Sequence, residues 1–283
     1  MTGSRSLVIT ADDFGLSLEV NEAVEIAHRD GMLTAASLMV AEPWADDAVT
    51  RARRFPGLAV GLHLTLVEGR AVSRPSEIPD LLGPEGRLRT DLAAYGTSIF
   101  IRSDVKRQVA TEIRAQFEAF RRTGLALDHV NAHKHYHLHP TIAGLVLAIG
   151  RDYGMRGLRV PVEPAAALAR VEPVRRGLEA RLAGSWAGAL RTRARAAGVT
   201  VPDQVFGLAW SGAMTSSRIA GLLAGLPPGR TEIYSHPAIA GGFAGSAPGY
   251  RYADELAALI DPGVKRALAE ARVQRASYAA WSR

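Results

Sequence analysis

The stretch Leu7-Val8-Ile9-Thr10-Ala11-Asp12-Asp13-Phe14-Gly15 decides the reading of the fold. It begins as a short apolar β run and ends in two adjacent carboxylates. Adjacent carboxylates repel, and burying both is costly unless a cation or a proton compensates. The pair marks the end of this strand as a candidate site, against the plainer alternative of ordinary loop and cap aspartates.

Outward from this strand, helix and strand alternate. Ser17 is placed to cap a helix that carries Val20, Val24 and Ala27 at helical spacing and stops at Gly31. Ala35 to Val40 reads as a strand, Asp46 to Arg54 as a helix ending near Pro56, and Leu58 to Leu66 as a third strand. Ser103 caps an amphipathic helix whose stripe is Val105, Val109, Ile113, Phe117 and Phe120. Leu125 to Val130 is a strand, Ile142 to Arg151 a helix, and Leu158 to Val160 a strand closed by Pro161. Val205 to Trp210 and Glu232 to Ser235 are later strands, and Glu255 to Gln274 holds the last helices. This alternation predicts a parallel α/β architecture, and one α/β barrel can absorb 283 residues. The expectation is a single domain over 1–283, with an excursion rich in Gly, Pro and charge at 67–102 and an Arg-rich segment at 165–200. A loop of that length in a compact domain is usually functional.

Hydrophobic residues at 47% and charged residues at 22% exclude disorder and fibrous repeats. No apolar run approaches the roughly 18 residues that a membrane span needs. Met1 to Ser6 lacks the apolar core of a signal peptide, so a cytoplasmic protein is expected. The absence of cysteine excludes disulfides, thiolate metal sites and cysteine nucleophiles. Of the net charge of +6, +5 lies between Ala165 and Thr200. A nucleic-acid surface would need stacking aromatics beside those arginines, and Trp186 is the only one there, so nucleic acid is not an expected partner.

Histidine placement is the strongest chemical signal. Five of the eight, His129, His133, His135, His137 and His139, fall within 11 residues after an apolar strand and before Pro140. His63 sits inside the apolar run Val60-Gly61-Leu62-His63-Leu64, and His236 at the strand end Ile233-Tyr234-Ser235-His236-Pro237. Alone, any of these is more often a hydrogen-bonded structural histidine than a ligand. Together, four strands end in Asp or His, and in a parallel barrel all C-terminal strand ends lie on one face. One Asp and two His around a divalent cation, with an open position for water, make a hydrolytic metal site. The remaining Asp and His are then free for general base and general acid work. There is no GxSxG elbow and no Walker-type phosphate loop.

The motifs Thr10-Ala11-Asp12-Asp13-Phe14-Gly15, Gly61-Leu62-His63-Leu64, His133 to Pro140 and Ser235-His236-Pro237 resemble the YdjC/ChbG family of carbohydrate deacetylases, in that family's order. Val67-Glu68-Gly69-Arg70 and Leu127 to His135 are most similar to its hopanoid-biosynthesis branch, HpnK. The resemblance implies a distorted, TIM-like (β/α) barrel of seven strands and removal of acetyl from N-acetylated amino sugars. Asp13, His63 and His133 would hold the metal, Asp12 would be the general base and His236 the general acid. Successive strand residues point to opposite sides, so Asp12 and Asp13 are not expected to bind one ion alike, and which of them is the base stays open. His135 is a candidate for contacting substrate or supporting a ligand, and Arg159 for orienting Asp12.

One departure stands out. The family pattern opens the histidine run with Asp-Ser, and this chain has Asn131-Ala132, which would remove an anionic partner from a ligand histidine; Asp128 is a candidate substitute. The hopanoid branch implies N-acetylglucosaminyl bacteriohopanetetrol as substrate. Soluble chitooligosaccharides, another metal hydrolase such as a phosphoesterase, or a metal-dependent carbohydrate-binding protein without turnover are the alternatives. Two imidazoles and one carboxylate suit zinc, with magnesium, manganese, cobalt and nickel open. Val174, Leu178, Leu182, Trp186 and Leu190 recur every four residues beside arginines, a pattern suited to an anionic membrane surface or equally to a solvated barrel helix. A peripheral position on the inner membrane and a homodimer complete the expectations.

Overall fold

The computed structural model describes residues 5–174 and 178–282, with the side chains of 178–183 excepted. Strand β1 (Arg5–Phe14) is buried continuously from Leu7 to Phe14 because it has strands on both sides and is covered on both faces. It is followed by α1 (Leu18–Arg29), β2 (Ala35–Leu38), α2 (Ala45–Arg54) and β3 (Ala59–Leu64). Then come α3 (Leu92–Ile101), α4 (Ser103–Arg122), β4 (Leu127–Ala132), α5 (Pro140–Asp152), α6 (Ala165–Val171) and α7 (Leu178–Ala196). The last third holds β5 (Gln204–Phe206), α8 (Ser216–Ala224), β6 (Gly229–Ser235), α9 (Tyr252–Ile260), α10 (Pro262–Glu270), β7 (Gln274–Arg275) and α11 (Tyr278–Trp281).

The strands form one parallel seven-stranded sheet in the order β4-β3-β2-β1-β6-β5, with β7 also paired to β1. Between the two outer strands runs the segment 157–162. Arg159 N–H donates to Val130 O (2.9 Å) on the β4 side, and Val205 N–H donates to Val162 O (2.9 Å) on the β5 side. The sheet thereby curls into a distorted TIM-like barrel, the expected α/β fold. Leu158 makes only an isolated bridge to Val130, so the expected strand Leu158 to Val160 is a linking segment rather than a full strand.

Side-chain alternation sorts β1. Leu7, Ile9 and Ala11 join the large core under the helices, whereas Val8 packs with Ala35, Tyr278 and Trp281 in a separate cluster. Above Val8 the inward positions turn polar: Thr10 donates to Glu232 (2.6 Å), and Asp12 follows at the top. Gly61 of β3 makes room in this layer for the His129 ring, since a Cβ there would lie 2.5 Å from the imidazole. Gly61→Ala is therefore expected to destabilise the protein by about 1–3 kcal/mol through overpacking, read as a lowered urea midpoint.

Two helix readings shift. Ser103 is the first helical residue of α4, Arg102 is its N-cap, and no side chain caps it, because α3 runs directly into this turn. The 67–102 excursion thus holds a helix that its Gly and Pro content concealed, and Glu112 of α4 pins its start by accepting from Val72 N and Ser73 N (both 2.9 Å). In α7 the buried line is Ala187, Leu190 and Ala194, while Trp186 is 43% exposed. Leu190 therefore faces the core and Trp186 does not, so these two members of the four-residue repeat do not share an exposed apolar face. Arg175 and Arg176, and the side chains of Leu178, Arg181 and Leu182, lie outside the described residues. Among the described residues no helix is long and apolar enough to cross a membrane.

Candidate metal centre

Asp12 and Asp13 both reach the site, although alternation should send Asp13 towards the helices. Asp13 takes a left-handed backbone (φ 64°), and the β1–β2 register shifts between Ala11 and Phe14. Such a conformation is rare for a residue with a side chain and is concentrated at functional sites. It is held by Leu16 N–H donating to Asp13 O (3.0 Å) and Met39 N–H donating to Phe14 O (2.8 Å).

The turned carboxylate meets two imidazoles. Asp13 Oδ1 lies 3.3 Å from His63 Nε2 on β3 and 3.2 Å from His133 Nδ1, just past the end of β4. One ligand atom from each of Asp13, His63 and His133 lies within 4.8 Å of the others. Asn131, the register partner of His63, fixes that ring. Its Nδ2 donates to Asp12 Oδ1 (2.9 Å), which only accepts when ionised, so its Oδ1 faces His63 Nδ1 (2.7 Å) and must accept. His63 Nδ1 is then the protonated nitrogen, and its Nε2 is left buried without a hydrogen-bond partner. A buried lone pair aimed at a carboxylate and a second imidazole fits a divalent cation. Burial disfavours a charge on His63, but Asp12 and Asp13 outweigh it and raise its pKa, so this spot attracts positive charge. Burial likewise pushes the Asp13 carboxyl up, and His133 and His63 more than reverse it, leaving it well below the usual range.

Asp12 is held differently. Arg159, fully buried, grips both its oxygens and with its other edge pairs Glu232, Nε to Oε2 at 3.0 Å and Nη2 to Oε1 at 2.7 Å. Burial raises the Asp12 carboxyl, but the Arg159 guanidinium and then His63 hold it far below the ordinary carboxylate range. It is a carboxylate kept charged in a dry place.

The other histidines divide. His135 lines the same cavity, with Nε2 on the Tyr234 hydroxyl (2.8 Å), and burial and then Arg159 keep it neutral. His236 lines it too, its Nδ1 buried and unpartnered at 4.0 Å from Glu255 Oε2. His137 binds Arg159 O through Nε2 (2.8 Å), and burial lowers its pKa to about 4. His139 caps α5 by accepting from Thr141 N, and its Nε2 lies 3.1 Å from Gly96 O. His129 sits beneath the site, Nδ1 on Asp128 (3.0 Å) and Nε2 on Ser37 (3.0 Å), while Asn131 donates to Ser37 (2.9 Å). Asp128 therefore supports His129 and not a residue of the Asp13 cluster. Asp12, Asp13, His63, His133, His135 and His236 share one cavity of about 510 Å³; Asn131 and Arg159 lie behind it.

Sequence reasoning missed Glu232, Ser37, Tyr234 and Glu255. A glutamate inside the apolar strand Glu232 to Ser235 was the available signal for the first. Glu255, which takes the His236 and Met214 amides, lies on an amphipathic helix and gives none.

Fold and site together define a distorted α/β barrel that gathers a carboxylate and two imidazoles at its strand ends. The chain belongs to the YdjC-like protein family, whose model matches residues 6–270. It is 30% identical over 278 residues to a carbohydrate deacetylase of Geobacillus stearothermophilus, covering 97% of each chain. It is 40% identical to one of Brevibacillus brevis over 156 residues, 55% of this chain and 58% of that protein. The crystal structure of an Enterococcus faecalis protein, named as a candidate for cellobiose-phosphate cleavage, superposes with a TM-score of 0.75 at 25% identity, covering 97% of this chain and 98% of that one.

Proposed function

We propose that the protein is a metal-dependent carbohydrate deacetylase that hydrolyses the acetamide of an N-acetylglucosamine unit. The observation that carries the reading is Asp12, a second carboxylate kept ionised by Arg159 beside the Asp13, His63 and His133 cluster. The names of the Geobacillus and Brevibacillus relatives support the same chemistry.

A divalent cation held by Asp13, His63 and His133 would polarise the acetyl carbonyl and acidify the attacking water. Zinc suits two imidazoles and a carboxylate best. Asp12 takes the proton of that water as it adds to the carbonyl, and Arg159 keeps the carboxylate aimed and unprotonated until then. His236, just past the end of β6 and beside Asp12 in the register, gives a proton to the departing nitrogen, which is otherwise a poor leaving group. His135 and Tyr234 lie beside them as candidates for holding the sugar. Asn131, bonded to both His63 and Asp12, supplies the support that an aspartate was expected to give.

For the acceptor we propose the hopanoid glycolipid N-acetylglucosaminyl bacteriohopanetetrol, on the wording of residues 67–70 and 127–135. A cytoplasmic enzyme working at the inner membrane follows from that acceptor. The test is acetate release from the lipid and from soluble N-acetylglucosamine oligomers, before and after chelation. We expect release that chelation abolishes and zinc restores. Activity untouched by complete metal removal would overturn the metal role, and release from soluble sugars alone would discard the hopanoid.

A further inference from the structure

A second cavity of about 500 Å³ adjoins the metal centre and takes no part in the chemistry above. The two share Gly245 in their walls. That residue has φ +89°, and a Cβ on it would stand 3.0 Å from Leu16, so only glycine carries the loop this close to the turn after Asp13. Phe243, in the second cavity, packs edge-on against Tyr252 of the first, with ring centroids 4.9 Å apart. The cavities are therefore neighbours, each of the size that a small ligand or one unit of a larger one fills, about 300–1,000 Å³.

The lining of the second cavity has a definite chemistry. Trp44 is 42% exposed and caps α2 with its backbone only, and among the described residues its indole makes no hydrogen bond. Arg70 comes from the excursion; its backbone N–H donates to Glu42 Oε1 (2.8 Å), and among the described residues its guanidinium has no hydrogen-bond or ion-pair partner. Gly69 permits this seat, because a Cβ there would lie 2.3 Å from Thr65 and 2.9 Å from Glu42. Arg87 and Glu19 complete the polar wall. Two guanidinium groups face two carboxyl groups, so the cavity has no net preference for a charged ligand. An exposed indole beside planar donors and acceptors suits a neutral, hydroxyl-rich ring, whose C–H face would lie on the aromatic and whose hydroxyls would meet the polar rim.

We propose that this cavity is a second glycosyl subsite, which holds the neutral sugar or polyol attached to the amino sugar whose amide is cleaved. The proposal rests on the deacetylase reading for which unit occupies the first cavity. The binding of a second unit can nevertheless be measured without turnover. The probes are N-acetylglucosamine and N,N′-diacetylchitobiose, titrated calorimetrically into zinc-loaded protein carrying Asp12→Asn, alone and combined with Trp44→Ala or Arg70→Ala. Both added substitutions are at exposed positions whose side chains make no hydrogen bond or ion pair among the described residues. The disaccharide is expected to bind more tightly than the monosaccharide, and each added substitution to weaken the disaccharide about tenfold with the monosaccharide unchanged. Equal weakening of both sugars, no weakening of either, or no advantage for the disaccharide would overturn the subsite. Acetate release by the wild type is read separately, so failure of the deacetylase reading shows as tight disaccharide binding without product.

Discussion

Asp12→Asn is expected to lower acetate release by about 10²–10⁴-fold, the usual contribution of a positioned general base, with the bound cation content unchanged. The substitution preserves shape and one accepting oxygen, so Arg159 and Asn131 can still hold the side chain. What it removes is the site for the proton. Asp12 is the right carboxylate to test because its oxygens are committed to Arg159 and Asn131, whereas Asp13 faces the two imidazoles. Acetate release and metal content by mass spectrometry, measured on the same sample, distinguish the two aspartates. Loss of cation together with activity would exchange their roles. Wild-type activity in the variant would remove Asp12 from the reaction.

The sequence made the barrel legible because its signals are local: apolar runs end in turn residues, and helical stripes alternate with them. The strand-end logic was legible as well, since His63, His133 and His236 stand next to apolar runs that could only be strands. The missing parts depend on contacts between distant residues. Nothing at position 13 announces the left-handed backbone that turns Asp13 away from the helices and allows two successive residues to serve one cavity. Asn131 reads as a departure when taken alone. Its role emerges only when β3 and β4 place it opposite His63 and the chain returns Asp12 to the same point, 119 residues away. Glu232 was visible as a charge in an apolar strand, but its partner Arg159 lies 73 residues earlier, outside any regular strand. Tyr278 and Ser37, which complete the polar layer, carry no local mark at all.

Arg159→Met should be the most destabilising of these changes, costing about 3–5 kcal/mol at neutral pH, because it leaves two buried carboxylates without their shared cation. Asp12 would keep Asn131, and Glu232 would keep Thr10 and Tyr278 (each 2.6 Å), but none of these carries positive charge. The pH dependence gives the prediction its sign. In the wild type, Asp12 titrates below its unfolded value, so its stabilisation is complete above about pH 4 and is lost only as pH falls through the lowered folded value. In the variant, burial acts on Asp12 without Arg159 to oppose it, so the folded value rises and ionisation itself becomes destabilising. The deficit should therefore widen as pH rises from about 4 towards 8. Urea midpoints of wild type and variant at those two pH values, both metal-free, read it directly. A deficit that is the same at both would mean that Arg159 contributes packing rather than charge, and that Asp12 owes its ionised state to another neighbour.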